Sequence, residues 1–101
     1  MIDDQMQQAL ADCDYALLLS PDDAAAVSNR AFVYLRLGDP DKALAEYAVA
    51  LEKDPKNAHA LYGRGLAKRN KGDNIGADAD IAAAQAIRPN IDEAFISHGV
   101  K

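Results

Sequence analysis

Cysteine occurs once, at Cys13, so no disulfide framework can hold this chain together. Aromatic side chains are few, 4 tyrosines and 2 phenylalanines, and β-branched residues are too sparse to furnish strands. The longest apolar runs, such as YALLL from Tyr15 to Leu19, are far too short to cross a bilayer, so no membrane partner is expected. The first residues, MIDDQMQQ, are acidic and polar where an export signal would place a basic and then an apolar segment. A cytoplasmic location is the expectation, although a piece cut from a longer protein would have lost any such signal. Basic residues are also short: 11 Lys and Arg stand against 16 Asp and Glu, for a net charge of −5. That balance excludes a nucleic-acid backbone as the main partner, because phosphate binding draws on clustered cations.

What is present is alanine. Half of the residues are hydrophobic and much of that share is alanine, the strongest helix former and a residue that lets helix axes approach closely. With 101 residues there is room for one domain and one core. The internal spacing is regular. Pro21, Pro55 and Pro89 lie 34 residues apart, as do the Gly-Asp pairs at Gly38-Asp39 and Gly72-Asp73. Alanines keep the same interval in the rows Ala9, Ala43, Ala77 and Ala16, Ala50, Ala84; a third row runs Ala24, Ala58 and then Asp92. Several independent rows at one interval mark a repeat.

Within each interval the apolar pattern is helical. From about Ala24 to Leu37, the residues Val27, Ala31, Tyr34 and Leu35 recur at three and four positions and share a face. Gly38 supplies a left-handed residue to end that helix, and Asp39 or Asp41 can cap the next. A second helix from about Pro40 to Lys53 carries Ala43, Leu44, Tyr47, Ala50 and Leu51 on one face, and Pro55 stops it.

These residues resemble the tetratricopeptide repeat family over essentially the whole chain; a helical bundle without repeats is the alternative. Val27, Leu61 and Phe95 match the bulky residue that opens the family's first helix, and Ala31, Gly65 and Gly99 the small one four positions on. Tyr34 matches the aromatic that follows, and Lys68 does not. In the second helix, Ala43, Tyr47, Ala50 and Pro55 fit fully; Ala77, Ile81, Ala84, Pro89 and Ala9, Cys13, Ala16, Pro21 fit except at the ring. Arg30 and Arg64 stand where leucine is common and, with Lys68, are expected to weaken packing. The resemblance implies an all-α, right-handed superhelix of antiparallel helix pairs, about six helices in one domain spanning 1–101. Residues 1–20 would be an orphan second helix, 21–54 and 55–88 complete repeats, and 89–101 an orphan first helix acting as a cap.

Chemistry is scarce. Cys13 falls at a core-facing position, where a thiol is usually inert packing. His59 and His98 have no carboxylate or cysteine at metal-ligand spacing. DNIGADAD, counted from Asp73, puts Asp78 sixth and Ala84 twelfth where a calcium loop needs glycine and glutamate, and suits a helix N-terminus. GRG at Gly63–Gly65 lacks a third glycine and a preceding strand. KRNK at Lys68–Lys71 suits a helix C-terminus. Neither an enzyme nor a bound metal or cofactor is expected.

The family resemblance implies a concave face lined by first helices that binds a peptide or a partner helix. By helical phase the exposed face shows Ala25, Ser28, Asn29, Phe32, Leu35 and Arg36 from one hairpin and His59, Tyr62, Gly63, Leu66, Arg69 and Asn70 from the next, with Glu93, Ile96 and Ser97 from the last helix. Phe32, Leu35, Tyr62 and Leu66 form its apolar strip, flanked by Asn29, Arg36, His59 and Arg69. One subgroup of the family grips chaperone C-terminal carboxylates; here Asn29 fits, whereas Ala25, His59, Gly63, Glu93 and Ser97 do not, so no Glu-Glu-Val-Asp tail is expected to bind. Two other expectations compete with a groove-binding module. The orphan terminal helices could complete each other between copies, giving a self-assembling homo-oligomer, or the chain could be an excised part of a larger scaffold.

Overall fold

The punctuation seen in the sequence becomes geometry at four turns. The computed structural model describes residues 4–92. It contains α1 (Asp4–Leu19), α2 (Ala24–Arg36), α3 (Pro40–Lys53), α4 (Ala58–Asn70) and α5 (Asn74–Ile87), and the backbone turns helical again at Ile91 and Asp92. Beyond these, the expected cap, with Phe95, Ile96, Ser97 and Gly99, lies outside the described residues, as do Glu93 and His98.

Each of α2 to α5 begins on a side-chain oxygen that accepts an otherwise unpaired backbone N–H. Asp23 takes the N–H of Ala26, Asp39 that of Lys42, Asn57 that of Ala60 and Asp73 that of Gly76. Pro40 stands in the first turn of α3, where its missing N–H costs nothing. Gly38 and Gly72 hold φ values of 80° and 90°, the left-handed conformation that closes α2 and α4. The acidic stretch after Asp73 is thus a capped helix start.

The core is thin, as its alanines require. Ala31, Ala43, Tyr47, Ala50, Ala60, Ala67, Ala77 and Ala84 are fully enclosed, with Val27, Leu35, Leu51 and Leu61 nearly so. Small residues set the distance between helices. At Gly65 a Cβ would stand 2.8 Å from Ile81 Cγ1 and 3.0 Å from the Ala77 carbonyl oxygen, so α4 and α5 are spaced for hydrogen only. Gly63 makes the same allowance for a ring. A Cβ there would overlap the end of the Tyr47 side chain, which reaches across from α3.

Helices pack in chain order, α1 on α2, α2 on α3, α3 on α4 and α4 on α5, with α2 also touching α4. This is a stack of antiparallel hairpins in which α2 and α4 run the same way. Since α1 meets α2 alone among the described elements, Ala9, Cys13 and Ala16 are only half-buried where Ala43, Tyr47 and Ala50 are enclosed.

The arginines expected to weaken the stack instead tie it. Arg30 reaches Glu46 of α3 at 2.5 Å and Asp14 of α1 at 2.9 Å. Arg64 grips Asp80 of α5 with two hydrogen bonds of 2.8 Å, and Lys68 adds a third contact at 2.9 Å. Burial works to raise the Asp80 carboxyl, but the bonds from Arg64 and Lys68 outweigh it and hold its pKa below the usual range. The same bonds raise the pKa of Arg64. The cations fill the hairpin seams with aliphatic stems and spend their charge on a partner, so the expectation of weakened packing fails.

Candidate functional site

On the face shared by α2 and α4 the apolar pattern is only partly satisfied. Phe32 of α2 and Tyr62 and Leu66 of α4 lean on the core while staying partly open. His59 joins the two helices. Its Nδ1 lies 2.7 Å from the Oγ of Ser28, which is buried, and its ring meets that of Phe32 edge to face with centroids 5.8 Å apart. Arg36, one turn beyond Phe32, lies with its guanidinium carbon 6.0 Å from the Phe32 ring centre. Asn29 is exposed on the same helix.

The far edge is polar. Burial and then the neighbouring Asp92, to which the hydroxyl is hydrogen-bonded, push the Tyr62 phenol up. Gln85 donates to both Asp92 carboxylate oxygens, at 3.1 and 3.2 Å, so this acid is held from two sides. Arg69 is engaged outward with Asp78 at 2.7 Å.

Of the residues assigned to this face by helical phase, Phe32 meets both Arg36 and His59; Asn29 is exposed on α2, Tyr62 and Leu66 are part-buried on α4, and Arg69 is turned to Asp78. Leu35 is different: it is 6% exposed and sits in the core cluster with Ala31 and Tyr47. Gly63 is buried as well, turned toward Tyr47. Ser28, assigned to the open face by phase, is instead 1% exposed and joins the site only as the partner of His59. Asp92 and Gln85 were not legible as site residues, because they come from the following turn and helix and face Tyr62 only once the stack is built.

The described residues assemble no group of three or more His, Cys, Asp or Glu able to hold a metal ion. Burial, then Asp14, pushes the Cys13 thiol up, away from the thiolate a nucleophile needs. No helix among the described residues is long and apolar enough to cross a membrane. What the face offers is a set of part-open apolar side chains with hydrogen-bonding edges.

Known proteins carry the same architecture. The solved structure of MamA superposes with a TM-score of 0.73 and 26% identity, over 89% of this chain and 53% of that one. The human Protein SGT1 homolog is 35% identical over 66 residues, which are 65% of this chain and 18% of that protein. The Meiotically up-regulated gene 93 protein of Schizosaccharomyces pombe is 42% identical over 48 residues, 48% of this chain and 12% of that protein. The chain therefore spans less than a fifth of these two relatives. The family model described as tetratricopeptide repeat matches residues 3–94, which takes in every described helix. With the recurring proline and alanine rows, the stacked hairpins and this match in agreement, the chain belongs to the tetratricopeptide repeat family.

Proposed function

We propose that this chain is a non-catalytic protein-interaction module that holds a peptide or a partner helix on the α2 and α4 face. The family's general role is protein binding, and the observation that carries the reading is that Phe32, Tyr62 and Leu66 on these two helices stay part-open while packed against the buried core. Such anchors with polar edges bind through a few desolvated side chains. Proteins captured from a native lysate and identified by mass spectrometry should include a partner whose affinity falls about tenfold with Tyr62→Ala. The melting temperature should stay within a few degrees. Unchanged affinity in a folded Tyr62→Ala protein would remove the groove.

One observation favours a second reading, self-association through α1. Leu18 and Leu19 are 76% and 67% exposed, beside Tyr15 at 63%, and stand 34 residues before Glu52 and Lys53, the polar pair on the matching helix α3. Light scattering over a concentration series decides it. A mass that rises with concentration and returns to the monomer value in Leu18→Glu/Leu19→Lys supports assembly, whereas a strict monomer excludes it.

A further inference from the structure

Acidic residues are sorted by helix in this molecule. The first helices of the hairpins, α2 and α4, contain no aspartate or glutamate, yet hold Arg30, Arg36, Arg64, Lys68 and Arg69. The second helices carry acids: Asp12 and Asp14 on α1, Asp41, Glu46 and Glu52 on α3, Asp78 and Asp80 on α5. Arg30, Arg64, Lys68 and Arg69 spend their charge on those acids across the seams. Arg36 does not. It is exposed, lies against the Phe32 ring and makes no ion pair with any described residue.

We propose that the groove selects an acidic peptide segment, one that seats an apolar side chain between Phe32 and Tyr62 and brings an aspartate or glutamate side chain to Arg36. This deepens the reading above and rests on it. The molecule as a whole is acidic, at −5; Lys42, over the Tyr34 ring, and Lys56 and Arg88 are exposed cations too, but Arg36 is the one beside the part-open Phe32 on the α2 and α4 face. At Arg36 a carboxylate meets a cation already packed on an aromatic face and with lone donors to offer. The groove also has a direction. Asp92, held by Gln85 and Tyr62, lies just beyond α5, whereas Arg36 lies at the C-terminal end of α2. A segment whose acid comes to the Asp92 end is disfavoured, so the order of acidic and apolar residues matters as well as their number. This is recognition of side-chain carboxylates along a segment, distinct from capture of a chain terminus.

The test uses synthetic peptide arrays in which apolar residues alternate with Asp and Glu, beside matched arrays carrying Asn and Gln or Lys and Arg, probed with the labelled full chain. The expected result is preferential binding to the acidic array, weakened by added salt. For the tightest peptide, Arg36→Gln should lower affinity about fivefold, the upper range for a solvent-accessible ion pair. Arg36→Lys should recover part of it, and reversing the peptide's order should weaken binding. If the Asn and Gln peptides bind equally well and Tyr62→Ala abolishes both, the groove stands and its acidic selectivity is overturned. If acidic peptides bind but neither Arg36→Gln nor Tyr62→Ala weakens them, both readings fall. Tighter binding of a single-stranded oligonucleotide than of any acidic peptide also overturns the proposal.

Discussion

Among the described residues Tyr47 is the largest fully enclosed side chain, and its hydroxyl is buried without a hydrogen-bond partner among them. An unpaired buried hydroxyl costs about 1–3 kcal/mol, so Tyr47→Phe is expected to raise the melting temperature, a sign opposite to that of most core substitutions. Gly63→Ala is expected to cost about 1–3 kcal/mol, because its methyl would enter the space of that ring. Since the collision involves the hydroxyl and the carbon bearing it, a double-mutant cycle should show part of the cost relieved in Tyr47→Phe. Titration gives an independent check. Burial pushes the phenol far above its ordinary value, so the stability tied to its neutral form is complete below about pH 10, the unfolded value, and is lost as pH rises beyond it. Urea midpoints followed into alkali should therefore decline less in Tyr47→Phe than in the parent chain.

At the scale of elements, the α4–α5 hairpin is held by the grip of Arg64 and Lys68 on Asp80. Asp80 has its folded pKa lowered, so its contribution is present above the unfolded value near pH 4 and is lost as pH falls below it. Asp80→Asn should cost about 1–3 kcal/mol at neutral pH, measured by urea unfolding, and should flatten the acid limb of the stability profile. Most of the element plan was legible from spacing and turn chemistry: Pro40–Lys53 is the helix that the proline and alanine rows delimit, and Asp39 caps it. Side-chain fates set by a different helix were less legible. Leu35 lies on the border between the open face and the seam, and helical phase alone cannot say that α3 covers it. Gly63 has no side chain for periodicity to place, and its role depends on a ring 16 positions earlier. The seam arginines did leave a trace, since Asp12, Glu46 and Asp80 repeat at the same 34-residue interval, but a trace of pairing is silent until the helices are antiparallel neighbours.

For the whole molecule, the order of contacts is the order of the chain, apart from α2 touching α4, so stability is a sum over neighbours. α1 has one neighbour among the described helices, and its amide hydrogens are expected to exchange faster than those of α3 and α4, as native-state hydrogen exchange would measure. The same arrangement has a mechanical side. No described contact links α1 to α5 or α3 to α5, so a load applied at the two ends must pass through the seams one after another. Pulled between its ends, the chain should give way in successive small steps, starting where one seam is all that holds, and should lengthen elastically before any hairpin is lost. A partner seated across α2 and α4 would bridge a seam and stiffen the middle of that series, so that occupancy of the groove could be read as tension.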